Sequence, residues 1–295
     1  MALPPLLPAT PTVLALDARL AGPGSVARLD PAEVAALSAE TGLEPAALLL
    51  ACLPWAQRWA SPPISHFQVG AVALGESGAI YLGGNLEFAG VALAQTVHAE
   101  QSAITSAWAH HEPRLELLAT SAAPCGYCRQ FMLELAVPPT LILGDRGPVT
   151  LAELLPWAFG PAELGRAPQL LVAGPHGLRL DPEPSAPDPL AALALAAADR
   201  SNAPYSGALA AVAVELVDGS RFAGALAESV AYNPSLGPMQ AALIVAHHGG
   251  ADLGQIRDAV LVELADAEVR QAPAAAALLA QLAPSVALRR FDARR

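Results

Sequence analysis

The sequence predicts a duplicated three-layer α/β/α sandwich, preceded by a small N-terminal helical segment. Strands alternate with helices between residues 67 and 143, as in layered α/β folds. The hairpin pattern of residues 69–83 returns about 140 positions later, which indicates an internal duplication. Between the two copies, residues 181–189 hold four prolines in nine residues, a composition typical of a linker between domains.

The elements of the first half follow from local patterns. Asp30 suits a helix N-cap, Pro31 the first turn and Gly42 the C-terminal stop, and a second helix is expected from Glu44 to about Trp59. From residue 67 the apolar period changes to that of strands joined by a turn. The sequence then predicts strands over 67–74, 79–83, 115–121 and 140–143, with helices over 97–109 and 125–135.

The second half repeats the hairpin over residues 211–214 and 221–224. An offset of about 140 places Pro238-Met239-Gln240 where the first copy has His98-Ala99-Glu100, and no second Cys-x-x-Cys follows. The second copy is therefore expected to lack the residues that could bind a metal in the first copy. The alternative is that there is no duplication and that the two Ala/Val-rich hairpins resemble each other by chance. The predicted domains are a helical segment (1–44), a catalytic domain (45–180), a linker (181–190) and a degenerate domain (191–295).

The charge and cysteine content narrow the function. The 295-residue chain has a formal net charge of −11, and basic residues cluster only in its last seven positions. This argues against a nucleic-acid partner and favours a small uncharged substrate. The N-terminus lacks a signal-peptide pattern, and the uncharged run over residues 271–288 is too rich in alanine to span a membrane. We expect a cytoplasmic protein that does not bind membranes, with its three cysteines available for metal or redox chemistry.

One ordered group of residues carries the chemistry. His98-Ala-Glu100 is followed, after 23 residues, by Pro124-Cys125-Gly-Tyr-Cys128. Two thiolates at a helix start can reach one metal, and His98 at the start of the preceding helix can supply a third ligand. Three protein ligands suit a catalytic zinc, one per chain, that keeps a position for water.

Two thiolates leave little net charge on zinc, so the bound water needs a nearby base, and Glu100 is the candidate. The ordered pattern is the known signature of zinc deaminases. A redox pair would explain Cys125 and Cys128 alone, but not His98 and Glu100. Cys52 is expected in the core, and His247 and His248 are expected at a solvated helix end.

Longer stretches resemble one family, the two-domain bacterial cytidine deaminases. The resemblance covers most of the chain from residue 35 to about residue 270, but fits the last twenty residues poorly. His66 and Gln68 stand where asparagine is more usual. The matching stretches are 67–71, 84–88, 96–104, 124–132, 157–161, 202–205 and 231–234.

The resemblance implies roles for individual residues. Phe67 would stack on the pyrimidine, Asn85 and Glu87 would bind the ribose hydroxyls, and Ala99 with Glu100 would contact the polar edge of the base. It also implies a homodimer, in which a loop near residues 231–232 approaches the partner's site.

The predicted reaction is hydrolytic deamination of cytidine and 2′-deoxycytidine to uridine and 2′-deoxyuridine plus ammonia, by a zinc-activated hydroxide, as in pyrimidine salvage. Two alternatives stay open at this point. One is a zinc deaminase of another base or nucleotide, such as deoxycytidylate, guanine or a tRNA adenine. The other is a zinc-binding homologue without activity, for which an intact Glu100 would have no use.

Overall fold

The computed structural model describes residues 7–21 and 26–295, and it contains two mixed β-sheets packed against helices. In these residues the α-helices are α1 (Pro11–Ala21), α2 (Pro31–Thr41), α3 (Pro45–Gln57), α4 (Ala99–Ala109), α5 (Gly126–Met132), α6 (Leu151–Leu154), α7 (Pro189–Ala198), α8 (Pro238–His248) and α9 (Ala272–Leu282). The strands are β1 (Arg28–Leu29), β2 (Gly70–Gly75), β3 (Ile80–Gly84), β4 (Leu115–Thr120), β5 (Thr140–Ile142), β6 (Pro148–Val149), β7 (Arg179–Leu180), β8 (Ala210–Leu216), β9 (Arg221–Ala225), β10 (Ile256–Leu264) and β11 (Leu288–Arg294).

The two sheets share a core topology, which confirms the predicted duplication. The first sheet has the strand order β1-β3-β2-β4-β5-β6 and the second β7-β11-β10-β8-β9. In both, a hairpin (β2–β3 or β8–β9) is followed by an antiparallel strand and then by a parallel one. Chance resemblance between two hairpins cannot produce four strands that agree in order and direction.

Matching glycines show how closely the copies correspond. A Cβ on Gly83 of β3 would lie 2.4 Å from both Ala99 O and Ala103 N of α4. At Gly224 of β9, 141 positions later, a Cβ would lie 2.0 Å from Ala242 N of α8. Each copy thus packs its long helix directly on the backbone of its hairpin, at a position where only glycine fits.

The correspondence changes at the helices, and this corrects the predicted alignment of the second copy. α4 begins at Ala99 and α8 at Pro238, 139 positions later, because the loop before α8 is two residues shorter than the loop before α4. The counterpart of His98 is therefore Gly237, not Pro238. Neither residue offers a ligand atom, so the expected loss of the metal ligands stands.

The two copies meet where α4 packs against α8. Gln101 Nε2 donates to Pro234 O at 3.1 Å, and Gln240 Nε2 donates to Gln95 O at 3.0 Å. These contacts are equivalent and reciprocal, one from each copy. All residues of α4 from Ala99 to Trp108 are buried, and one hydrophobic core continues through both copies.

The N-terminal segment covers the outer face of the first sheet, and its first helix was not predicted. α1 buries Val13, Leu16 and Leu20 at helical spacing in the same cluster as the apolar face of α3. The predicted ends of α2 are confirmed: Asp30 is extended ahead of Pro31, and Gly42 has a φ of +66°. Residues 1–6 and 22–25 of the proline-rich lead lie outside the described residues.

Three further observations qualify the sequence-based predictions. β2 begins at Gly70, so residues 67–69 form a loop instead of the predicted start of the strand. The expectation of a solvated helix end is wrong for His248, which is only 4% exposed, whereas His247 is half-buried. β7 precedes the proline-rich stretch yet pairs with β11 of the second sheet. The predicted domain boundaries stay predictions.

In the described ranges, no single helix is long and apolar enough to cross a membrane. α2 and α3 reach that length and composition only together, as a pair bent by 108°.

Candidate active site

The predicted site residues lie on elements that meet at one end of the first sheet. Gly70 pairs with Gly84 and Ala71 with Thr120, so the start of β2 adjoins the ends of β3 and β4. The chain leaves β4 for the loop that leads into α5. α4 begins over Gly83, which brings the N-termini of both helices to this end of the sheet.

The three predicted zinc ligands form one group there. The ligand atoms of His98, Cys125 and Cys128 all lie within 4.8 Å of one another. Cys125 Sγ is 3.7 Å from Cys128 Sγ and 3.4 Å from His98 Nδ1. Ligands of a tetrahedral zinc, at about 2.3 Å for sulfur and about 2.0–2.1 Å for nitrogen, lie roughly 3.5–3.8 Å apart. The spacing and the donor set therefore both fit zinc.

Local contacts prepare this group for a metal. The hydrogen bond between the Cys125 and Cys128 sulfurs, together with the one to His98, lowers the pKa of Cys125 to about 3. The ring of Tyr127 stacks on His98 with centroids 5.2 Å apart and an interplanar angle of 19°. Thiolate character at Cys125 and a fixed imidazole are what a metal needs from these ligands.

Glu100 is buried in the first turn of α4, with 4% of its surface exposed. Burial is the largest influence on it and raises the pKa of its carboxyl group, while the nearby His98 acts in the opposite direction. A carboxyl group that is short of water and next to a metal group is suited to accept and return a proton.

Two anchors hold α5, which carries the cysteines. Arg129 donates to Pro124 O at 2.8 Å and to Leu154 O at 2.6 Å. Just after α5, the fully buried Glu134 accepts from Tyr205 OH at 2.6 Å and from Val230 N at 2.7 Å. The second copy thus supports the helix that positions both thiols.

Asn85 organises the loop that carries Phe67. Its Oδ1 accepts from Val69 N at 2.8 Å, and its Nδ2 donates to Phe67 O at 3.1 Å. These bonds hold residues 67–69 out of the strand and leave the Phe67 ring 60% exposed. An exposed ring on a braced loop is available for stacking on a planar ligand.

Glu87 is held by the neighbouring loop, and Ala99 directly follows the His98 ligand. The Glu87 carboxylate accepts from Ile64 N at 2.9 Å and from Ser65 N at 2.8 Å, and also from the Ser65 hydroxyl. Burial opposes ionisation of Glu87, but the bonds from Ser65 outweigh it and lower the pKa. Glu87 is therefore a fixed, charged acceptor at the same end of the sheet.

The second copy keeps this loop but not the metal group. Glu228 accepts from Tyr205 N at 3.0 Å, from Ser206 N at 3.1 Å and from the Ser206 hydroxyl. Ser65 was missed as a site residue, although its recurrence as Ser206 at the offset of 141 was readable in the sequence. The contacts of Gln101, Tyr127 and Glu134 were also missed, and they carry no comparable sequence signal.

Comparison with known proteins identifies the family of this chain. Family models described as "Cytidine and deoxycytidylate deaminase zinc-binding region" match residues 45–143 and 151–276. The cytidine deaminase of Sodalis glossinidius is 48% identical over 252 residues, which is 82% of each chain. That of Serratia proteamaculans is 43% identical over 278 residues, 94% of this chain and 93% of its own.

A solved structure of cytidine deaminase from Mycobacterium tuberculosis is 31% identical over 40% of this chain and 99% of that chain, with a TM-score of 0.37. The two family models together reach across both copies of the fold, and the curated relatives share most of the full length. The chain belongs to the cytidine deaminase family, as a long form with two copies of the deaminase domain.

Proposed function

We propose that this protein is a zinc-dependent hydrolase that deaminates cytidine and 2′-deoxycytidine to uridine and 2′-deoxyuridine, releasing ammonia. The observation that carries the proposal is the buried Glu100, two residues after His98, beside a His/Cys/Cys group of metal-binding geometry. A structural zinc site closes with four protein ligands and needs no such carboxyl group.

His98, Cys125 and Cys128 would hold one zinc ion per chain, and zinc bound there would supply a water of lowered pKa. Glu100 would accept a proton from the attacking water and deliver it to N3 of the pyrimidine as the water oxygen bonds to C4. The same carboxyl group would then take the proton of the new C4 hydroxyl group and pass it to the amino group, so that the C4–N bond breaks, a C4 carbonyl forms and ammonia leaves. Burial of Glu100 serves both steps, because it brings the pKa of the carboxyl group closer to neutrality.

The substrate is held by groups from the same end of the sheet. Phe67 stacks on the pyrimidine, and Asn85 and Glu87 accept hydrogen bonds from the ribose hydroxyls. The first residue of α4, Ala99, offers its backbone to the polar edge of the base. The charged Glu87 favours an uncharged nucleoside, because a carboxylate near the sugar repels a 5′-phosphate.

The test compares Glu100→Gln with Cys125→Ser. We expect Glu100→Gln to keep one zinc per chain by elemental analysis and to lose about 10²–10⁴-fold in kcat for cytidine, measured by ultraviolet absorbance. Cys125→Ser should lose the zinc itself. Near-normal kcat in Glu100→Gln would refute its role, and full zinc in Cys125→Ser would refute the ligand set. Glu116→Gln, at an exposed carboxyl group of β4, is the matched control.

The same assay addresses the substrate. Turnover of cytidine should exceed that of deoxycytidylate, and Glu87→Gln should narrow the difference by weakening cytidine binding. Faster turnover of deoxycytidylate would favour a nucleotide deaminase. A zinc-loaded protein that turns over none of these substrates would indicate a homologue without activity.

We also propose a homodimer that works in the cytoplasm. Four large aromatic side chains are at least half exposed around the site and the inter-copy loops, namely Phe67, Trp157, Phe159 and Tyr232. A set of exposed rings of this size is typical of a covered interface. The free thiols of Cys125 and Cys128 suit a reducing compartment. Sedimentation velocity of the purified protein and cell fractionation test the two points separately.

A further inference from the structure

Because the fold is duplicated, equivalent positions of the two copies can be compared directly. The copies differ at the outer edge of the hairpin. In the first copy β1 covers the edge of β3, with Arg28 opposite Tyr81 and Leu29 opposite Ile80. Just before β1, the Ala27 N–H donates to His248 O at 2.9 Å. The Ala27 carbonyl accepts from Leu82 N at 2.9 Å. Ala27 thus links the edge of the sheet to the last residue of α8.

The second copy presents the same two groups, and among the described residues neither has a hydrogen-bond partner. Ala223 of β9 corresponds to Leu82, since both occupy the same register in their hairpins, opposite Ala213 and Val72 respectively. Backbone groups alternate in direction along a strand, so the Ala223 N–H faces away from β8 as the Leu82 N–H faces away from β2. Within the described part of the chain, no strand pairs with the outer edge of β9.

The acceptor is matched as well. Ala109 ends α4 as His248 ends α8, and its carbonyl receives no hydrogen bond from any described residue. Position 113, which would supply the next amide in a continuing helix, is proline. The Ala223 N–H and the Ala109 carbonyl are therefore the equivalents of the two groups that Ala27 contacts in the first copy.

A cavity of about 370 Å³ lies between these two groups and is lined by both Ala109 and Ala223. Its apolar walls include Trp108, Leu193 and Phe222. We call this cavity, bounded by the end of α4, the end of α7 and β9, the edge groove. An opening with apolar walls, beside a sheet edge that no described strand covers, is the geometry of strand addition.

The charges of the edge groove indicate what it accepts. Arg200, Arg221 and His111 line it, and none of the described residues around it is acidic. Arg221 is already paired with Glu215, whereas the described contacts of the Arg200 guanidinium include only His111 Nε2 at 3.3 Å and no carboxylate. A ligand that brings a carboxylate would complete the ion pairing of Arg200.

We propose that the edge groove binds an extended acidic segment of a separate polypeptide, which adds a strand to β9. A small residue of that segment bridges the Ala223 N–H and the Ala109 carbonyl, as Ala27 bridges their counterparts. A carboxylate side chain of the segment lies against Arg200. The partner is thus defined by an extended backbone, a small central residue and negative charge.

The test uses a labelled peptide of sequence Val-Ala-Glu-Leu-Asp, which is residues 26–30 with Arg28→Glu. Its binding to the full chain is measured by fluorescence anisotropy. Ala223→Pro removes the outward N–H and fills its position, yet an edge strand tolerates proline there. We expect saturable binding to the unaltered chain and at least a tenfold loss in Ala223→Pro. Val217→Ala, in the exposed turn of the same hairpin, should bind normally.

Arg200→Gln provides a second measurement that does not depend on a proline in a strand. It should weaken the acidic peptide about threefold and leave a peptide with Gln in place of Glu unchanged. Absence of binding to the unaltered chain, or equal binding to a folded Ala223→Pro, would overturn the proposal. So would conversion of a dimer to a smaller species by Ala223→Pro, because the groove would then be covered by a second copy of this chain.

Discussion

Gly83 and Gly224 allow the packing of the two long helices to be tested separately. A methyl group at Gly83 would lie 2.4 Å from two backbone atoms of α4, whereas ordinary contacts of a Cβ begin at 3.4 Å. Backbone atoms cannot rotate away, so Gly83→Ala must displace the start of α4 by about 1 Å. A displacement of that size at a catalytic group costs about 10²-fold in rate.

The matched variant is Gly224→Ala, whose methyl group would lie 2.0–2.2 Å from the backbone of α8. Overpacking of this kind lowers the free energy of unfolding by about 1–3 kcal/mol in either variant. Only Gly83→Ala moves the helix that carries Glu100, so only this variant should lose kcat. The two changes therefore separate a loss of stability from a loss of catalysis.

The measurements are urea unfolding, kcat for cytidine and zinc content at 25 °C. We expect similar losses in the free energy of unfolding for the two variants. Gly224→Ala should keep one zinc ion per chain, and only Gly83→Ala should have a kcat about 10²-fold lower. Equal kcat losses in both variants would show that the rate reports overall stability. Normal kcat in Gly83→Ala would refute the argument that α4 rests on this glycine.

Three further outcomes follow from the contacts above. Ser65→Ala removes a donor from the Glu87 carboxylate and should raise KM for cytidine more than it lowers kcat. The equivalent Ser206→Ala in the second copy should leave both unchanged, and equal effects of the two variants would contradict a role of Ser65 in substrate binding. Burial lowers the pKa of His248 well below its usual value. Stability that is present above about pH 6.5 is therefore lost as the pH falls toward the folded pKa, with a slope of up to about 1.4 kcal/mol per pH unit. In urea unfolding from pH 7.5 to 5, the free energy of unfolding should decline less steeply in His248→Gln than in the unaltered chain, and parallel declines would exclude this histidine as a cause. Tyr205→Phe leaves the buried Glu134 with one donor fewer and should lower the free energy of unfolding by about 1–3 kcal/mol. If Tyr205 and Glu134 act as one contact, the double variant with Glu134→Gln should not lose twice as much.

The metal group and the layered fold could be predicted from the sequence because they depend on residue types at short spacings. His98 and Glu100 are two positions apart, Cys125 and Cys128 three, and each pair sits at the start of one helix. Strand alternation likewise divides β2 between two buried faces, with Ala71 and Ala73 in one apolar cluster and Val72 in the other. These signals are local, so they do not depend on how the copies pack.

The features that the sequence did not reveal depend on distant contacts. His248 resembles a solvated helix end until α4 places Ser102 3.0 Å from its Nε2. Residues 67–69 continue the strand pattern, but Asn85 takes their hydrogen bonds. The register of α8 moved by one position because a loop lost two residues, and loop lengths leave no periodic signal.

The single core that runs through both copies has a consequence for how the chain can be divided. A first copy cut free at the proline-rich stretch would expose the face of α4 that α8 now covers, and the Gln101 amide nitrogen would lose its acceptor at Pro234 O. Such a fragment would lack the neighbour against which its zinc-binding helix is set. Gene duplication has here produced an architecture that is repeated but not modular, and heating the intact chain should melt both halves in one cooperative step.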